Sequence, residues 1–167
     1  MKRKRDIGIL IALIIFFVLT FPTIRLFFHG LKLGNEYNKY LNALSESVAS
    51  TNGRGVFVYY NDKVYKIDNY NAENYYRLLY VAGQGKVVDV SDIDYSYYIE
   101  YVDGSALSFT KIDQSYDEEY MKQNGLLVVY KFNNGEYYSY ITDNMSYSNV
   151  EYILLYSGGA KEIGNRK

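Results

Sequence analysis

The chain has 167 residues, a formal net charge of −1 and no cysteine, so disulfides, thiolate metal sites and cysteine-linked lipids are excluded. The charge is unevenly divided, because residues 35–167 carry 18 Asp and Glu against 12 Lys and Arg, a net charge of −6, while the preceding segment is basic. An acidic segment of this kind is a poor ligand for nucleic acid, and no nucleic-acid partner is expected.

Residues 1–28 predict a transmembrane signal anchor. Lys2 to Arg5 are basic, and the 18 residues from Ile7 to Ile24 contain no charged side chain. At about 1.5 Å rise per residue, residues 7–24 would span about 27 Å as a helix, close to the hydrocarbon thickness of a bilayer. The positive-inside rule keeps the basic flank in the cytoplasm. We therefore expect a single-pass protein of the cell membrane whose C-terminal domain is extracytoplasmic.

A cleaved signal peptide is the alternative to this anchor. Its apolar region would ordinarily have about 7 to 15 residues, fewer than the run found here. Bulky residues also stand between Thr20 and Phe28, where a cleavage site of small residues would be expected. Both features favour an uncleaved anchor.

Residues 29–54 are predicted to form a joint and an amphipathic helix. Gly30 and Gly34 are expected to interrupt any continuous helix from the membrane. A helix over about residues 35–49 follows from apolar residues at helical spacing. These residues are Tyr37, Tyr40, Leu41, Leu44 and Val48.

Residues 55–160 are predicted to form one extracytoplasmic domain that begins with a hairpin and a helix. Val56–Tyr60 and Lys63–Ile67 are β-rich runs on either side of Asn61-Asp62, a two-residue turn signal. The next helix is expected to have Asn71 as its N-cap and to end at Gly83. Its apolar face consists of Ala72, Tyr75, Tyr76 and Leu79, and a short strand over Lys86–Val90 follows it.

The middle of the domain is predicted to be a second hairpin. Asp103-Gly104 is the clearest turn signal in the chain and separates the runs Tyr95–Val102 and Ala106–Ile112. Ser115–Glu118 has the spacing of a capping box, which predicts a short helix closed by Gly125.

The last elements repeat the order of the first. Leu126–Phe132 and Glu136–Ile141 predict a third hairpin, and a capping box at Ser148–Glu151 predicts a helix that ends at Gly158-Gly159. Residues 161–167 are expected to be a tail. The order predicts an α+β domain, an antiparallel sheet with helices on one face. Whether this is a duplicated ββα unit or two unrelated segments is left open.

Few residues are candidates for catalysis or metal binding. The single histidine, His29, lies at the predicted membrane exit, so a histidine-dependent triad inside the domain is excluded. Ser108 and Lys111 fit a Ser-x-x-Lys pattern, but on a strand they would point to opposite faces. The acidic cluster of Asp89, Asp92 and Asp94 lacks the EF-hand pattern, so a solvated loop is expected, with an irregular calcium site that adds Glu100 as the alternative. We therefore expect no catalytic residue, no metal ligand and no cofactor.

Tyrosine supplies the candidate binding residues, since all 22 lie between Tyr37 and Tyr156. In the run 95–102 the more apolar face of Tyr95, Tyr97, Ile99 and Tyr101 is expected to point inward. That orientation leaves Tyr98 outside, and similar alternation leaves Tyr138 and Tyr140 outside in the run 136–141. These three form a predicted aromatic binding patch, with separate tyrosines that merely cover the sheet as the alternative.

Three function classes follow from these observations. The first is a non-catalytic interaction or accessory subunit of the cell envelope that binds a protein partner. The second is a module that binds glycan or cell-wall polymer by stacking tyrosines on sugar rings. The third is a carboxylate-based hydrolase, for which no spacing singles out a pair of acids.

Overall fold

The computed structural model describes residues 2–51, 54–112 and 125–166, with side chains from residue 20 onward. These residues contain the helices α1 (Lys2–Ser50), α2 (Asn69–Ala82) and α3 (Tyr147–Tyr156). Their strands are β1 (Val56–Tyr60), β2 (Lys63–Ile67), β3 (Lys86–Val87), β4 (Tyr97–Glu100), β5 (Ala106–Lys111), β6 (Leu126–Lys131), β7 (Tyr137–Thr142) and β8 (Ala160–Asn165). The chain divides into two compact units, Met1–Tyr37 and Asn38–Lys167.

The first unit is the part of α1 that precedes Asn38. Gly30 and Gly34 lie inside α1, so the predicted break at these glycines is wrong. A glycine costs a helix only about 1 kcal/mol relative to alanine, and the surrounding leucines and lysines are good helix formers. Among the residues whose side chains are described, no helix has the length and apolarity needed to cross a membrane.

The second unit contains one eight-stranded sheet in the order β3-β7-β6-β5-β4-β1-β2-β8, which confirms the α+β fold class. Every pair of neighbours is antiparallel. All three predicted hairpin turns are present. At the first turn Asn61 and Asp62 have φ values of 49° and 61°, the left-handed conformation that a tight two-residue hairpin requires.

All three helices contact the same face of the sheet, which we call the helix face. Tyr40 of α1 stacks on Tyr138 with ring centroids 5.1 Å apart. Tyr75 of α2 stacks on Phe109 at 6.0 Å, and the Tyr97 hydroxyl donates a hydrogen bond to a backbone carbonyl of α3 at 3.0 Å. These contacts confirm the predicted placement of the helices on one face of the sheet.

The starts of α2 and α3 differ from the predicted capping residues. Asp68, not Asn71, caps α2, and its carboxylate accepts the Asn71 backbone N–H at 2.9 Å. Ser146 is the N-cap of α3, where Asn149 Oδ1 accepts the Ser146 backbone N–H at 2.8 Å. Helix α2 still buries Tyr75 and Leu79 of its predicted apolar face, while Tyr76 is only partly buried, and α3 buries Ile153 and Leu154.

Residues 88–96 cross the opposite face of the sheet as a strap between β3 and β4. Val88 N donates to Ser139 O at 3.1 Å, and the Ser139 hydroxyl donates to Val88 O at 2.7 Å. At the far end, Thr110 Oγ1 donates to Asp94 Oδ2 at 2.9 Å. Beneath the strap lies an apolar cluster of Ile112, Leu127, Val129 and Ile141. We call this the strap face.

The segment after α3 is a strand rather than the predicted tail of residues 161–167. Ala160–Asn165 forms β8 and pairs with β2, while β3, the strand after α2, pairs with β7. The strand that follows each candidate ββα unit thus pairs with the hairpin of the other unit. The units hold matching places in the strand order, although their duplication stays a prediction. The helix predicted from Ser115 falls on residues 113–124, outside the described residues.

Candidate functional site

The predicted patch of Tyr98, Tyr138 and Tyr140 does not form. Tyr138 and Tyr140 lie on the helix face, where they contact Tyr40 and are 7% and 0% exposed. Tyr98 pairs with Ser108 on β5 and belongs to the strap face. The predicted outward orientation of Tyr138 and Tyr140 is wrong. Both faces of β7 are covered, so apolar character does not distinguish one face of this strand from the other.

The strap face instead carries a groove on the strands that the strap does not cross. Its volume is about 420 Å³, within the roughly 300–1,000 Å³ common for ligand sites. The lining residues are Tyr59, Val64, Tyr95, Tyr98, Glu100, Asn165 and Arg166. They come from β1, β2, β4 and β8 and from the segments that precede β4 and follow β8.

The register of the sheet brings the floor of the groove together. Val64, Tyr59 and Tyr98 are cross-strand neighbours on β2, β1 and β4. Ring centroids are 5.6 Å apart between Tyr59 and Tyr98 and 5.0 Å apart between Tyr98 and Tyr95. The planes are tilted by 46° and 49°, and the three rings line the same groove, so we call them the tyrosine cup.

A cation lies over this cup. The Arg166 guanidinium carbon is 4.7 Å from the Tyr95 ring centroid and 5.6 Å from that of Tyr59, both within cation–π range. Arg166 Nη1 also donates to Tyr95 O at 2.9 Å, and Arg166 N donates to Asp62 O at 2.8 Å. Arg166 forms no ion pair with any carboxylate among the described residues.

Glu100 gives the groove a negative charge beside the cup. Its Oε2 accepts a hydrogen bond from the Tyr59 hydroxyl at 3.2 Å. Burial and then the nearby Glu100 carboxylate raise the pKa of Tyr59, and the same two causes raise the pKa of Tyr98 to about 12. Both phenols are therefore protonated at neutral pH. The cup combines neutral hydroxyl donors, electron-rich ring faces and one adjacent carboxylate.

A second cavity, of about 390 Å³, lies at the N-terminus of α2 and is lined in part by Lys66 and Lys161. Two lysines and a helix N-terminus would favour an anion. Asp68 also lines this cavity, and its carboxylate already accepts the Asn71 N–H. A negative side chain in the position that an anion would take makes this the weaker candidate.

The structure also places the Ser-x-x-Lys pair and part of the acidic cluster. Ser108 pairs with Val129 and Lys111 with Leu126, residues on opposite faces of β6, so the predicted separation of Ser108 from Lys111 is confirmed. Asp94 is engaged by Thr110 and by the Ser96 N–H at 2.8 Å. No group of three potential metal ligands occurs in the part of the chain that the structure describes.

The sequence does not identify Tyr95 and Tyr59 of the cup or Arg166 above it as binding residues. Tyr95 was expected to point inward, but it is 51% exposed because β4 begins only at Tyr97. Tyr59 shares its face of β1 with Phe57, and because both faces of this strand are apolar or aromatic, alternation does not assign Tyr59 to the outward one. No sequence pattern marks Arg166 as a groove residue, since only the pairing of β8 with β2 brings it to the groove.

Comparison with protein-family models, with curated proteins and with solved structures finds no match to this chain. The function is therefore inferred from the groove, from the charges around it and from the N-terminal sequence.

Proposed function

We propose that this chain is a non-catalytic interaction subunit of the cell envelope that binds a protein partner through the tyrosine cup. The observation that carries the proposal is that Tyr59, Tyr95 and Tyr98 meet in one groove with Arg166 over them. Tyrosine and arginine are enriched among the residues that dominate binding energy at protein interfaces. Aromatic rings also present a large contact area at a small loss of side-chain entropy.

The location is proposed from the sequence. The uncharged run Ile7–Ile24 behind Lys2 to Arg5 is the basis for a single-pass anchor in the cell membrane with a cytoplasmic N-terminus. With that orientation, the groove faces the extracytoplasmic space. Partners are then other membrane or envelope proteins.

Glycan or cell-wall polymer is the second candidate ligand, and one observation favours it. The ring faces of the cup stand beside hydrogen-bonding groups of Glu100 and Asn165, a combination that suits sugar rings and their hydroxyls. A carboxylate hydrolase has less support. Glu100 is the single carboxylate among the described residues that line the groove, whereas glycoside hydrolysis ordinarily needs two.

The proposal is tested with a photo-crosslinking amino acid, benzoylphenylalanine, placed in the full chain in native membranes. One variant carries it at Tyr95, in the cup, and the matched control carries it at Tyr80, which is 62% exposed on α2. We expect irradiation to capture one dominant envelope protein from position 95 and not from position 80. Protease added outside intact cells should digest the domain while a cytoplasmic marker survives.

Other outcomes contradict specific parts of this proposal. If both positions capture the same mixture, or neither captures anything, the cup is not the binding site. If position 95 yields polymer instead of protein, the glycan candidate replaces the protein partner. If the domain resists protease that reaches other extracytoplasmic proteins, the orientation is wrong.

A further inference from the structure

The tyrosine cup has the electrostatic character of a site for an organic cation. Each ring carries negative potential on its face, and the Glu100 carboxylate adds a full negative charge on the same side of the sheet. The cation present is the chain's own Arg166, held by two rings and by the Tyr95 carbonyl. A guanidinium therefore fits this groove in shape as well as in charge.

Arg166 is held weakly enough to be displaced. Its side chain is exposed, it lacks an ion pair among the described carboxylates, and one hydrogen bond from its guanidinium is present. A guanidinium carries five N–H donors, and among the described residues the other four have no acceptor, so they are open to solvent or to a ligand. Exposed cation–π contacts of this kind are individually weak.

We propose that the cup recognises an arginine side chain of the partner, and that Arg166 occupies the same place when no partner is bound. This inference rests on the proposed function, whose partner it specifies as a protein segment that presents arginine. Residues 35–167 carry a net charge of −6, which favours the approach of a basic segment. Arginine is preferred to lysine because its planar, weakly hydrated guanidinium stacks on aromatic rings.

Occupation of the cup by Arg166 reduces its affinity for the partner's arginine. The apparent affinity is the intrinsic affinity multiplied by the fraction of molecules whose cup is empty, as for any site that must first be vacated. Two exposed cation–π contacts favour the cup occupied by Arg166 over the empty cup by a factor of about 5 to 30. Removal of the Arg166 guanidinium should therefore strengthen binding of an external guanidinium by about that factor.

The test titrates the full chain, in mild detergent, with blocked tripeptides that carry arginine or lysine between glycines. Binding is followed by NMR through the ring signals of isotope-labelled tyrosines. We expect Arg166→Ala to bind the arginine peptide about 5- to 30-fold more tightly than the unaltered chain. Arg77→Ala is the matched control, because Arg77 pairs with Glu73 on the exposed side of α2. It should bind as the unaltered chain does, and the lysine peptide should bind several-fold more weakly than the arginine peptide.

Three results would overturn the inference: equal or weaker binding of the arginine peptide by Arg166→Ala, a gain of the same size in Arg77→Ala, or no preference for arginine over lysine. Weaker binding would mean that Arg166 contacts the ligand instead of competing with it. If the crosslinker at Tyr95 still captures a single protein in that case, the proposed function survives and only the arginine specificity fails. If that capture also fails, the groove is not a binding site.

Discussion

Asp103, a partly buried residue in the turn between β4 and β5, accepts several hydrogen bonds that link the turn to α1. Its two carboxylate oxygens lie 2.7 Å from Ser47 Oγ on α1 and 2.6 Å from Ser105 Oγ. The Ser105 backbone N–H donates to the same carboxylate at 3.0 Å. Ser47 Oγ is also 2.9 Å from the Tyr130 hydroxyl, so this cluster joins α1 to β6.

The charge on Asp103 should contribute to stability in a pH-dependent way. Burial raises the pKa of this carboxyl, but hydrogen bonds from Ser105 and Ser47 outweigh it and hold the pKa below its ordinary value. A lowered folded-state pKa stabilises the fold above the unfolded pKa of about 3.9, and that contribution is lost as the pH falls through the folded pKa. We expect the free energy of unfolding of the full chain to decline below about pH 4.

Replacement of Asp103 by Asn should remove this contribution. We expect a loss of about 1–2 kcal/mol at neutral pH, because hydrogen bonds to a charged acceptor are stronger than those to a neutral one and the site is partly exposed. The variant should also depend less on pH below about pH 4. Urea denaturation followed by near-ultraviolet circular dichroism of the tyrosines measures both effects. Asp92→Asn, on the exposed part of the strap, is the control, and an equal loss there would exclude a special role for Asp103.

Helix α2 offers a direct measure of packing on the helix face. Leu79 is 0% exposed, whereas Val81, two residues further along the same helix, is 82% exposed. We expect Leu79→Ala to lower the free energy of unfolding by about 2–5 kcal/mol, the range for a leucine whose removal leaves a cavity. Val81→Ala should change it by less than about 0.5 kcal/mol. Similar losses in both variants would mean that α2 does not pack as described.

The elements that could be predicted from sequence are those with local signals. The turns at Asn61-Asp62 and Asp103-Gly104 need residues that tolerate left-handed or tight backbone, and the structure has a hairpin at each. Gly83 likewise ends α2 where expected, with φ 74°. β8 gave no signal because every residue from Lys161 to Asn165 is exposed, so no alternation of apolar and polar residues marks it.

The candidate site was harder to predict than the elements, because it depends on which strands are neighbours. Alternation gave the relative orientation of Tyr97 and Tyr98 within β4 correctly. It failed for Tyr138 and Tyr140, where the strap covers the face that would otherwise be open. Tyr59 and Tyr98 meet only through the pairing of β1 with β4, and Arg166 only through that of β8 with β2. Such contacts join residues far apart in the chain, and no local pattern encodes them.

The exchange of β3 and β8 makes the two halves of the sheet depend on each other. β3 completes the edge beside β7, and β8 completes the edge beside β2. Neither ββα unit therefore contains all the strands that its own hairpin pairs with. We infer that the domain folds in one cooperative step whose rate is limited by these long-range pairings.

The same exchange means that two pieces of the chain divided between β5 and β6 would be joined by strand pairs at both edges of the sheet and at its centre. Residues 1–112 and 113–167, produced as separate chains, would share the β3–β7, β5–β6 and β2–β8 ladders. We expect the two pieces to reconstitute the domain spontaneously when co-expressed and to purify as a stoichiometric pair. A second piece that ends at Gly159, without β8, should reconstitute less well, and equal recovery of both pairs would contradict this view. The domain thus offers a natural place to divide it into two mutually complementing halves, each of which could report on the presence of the other.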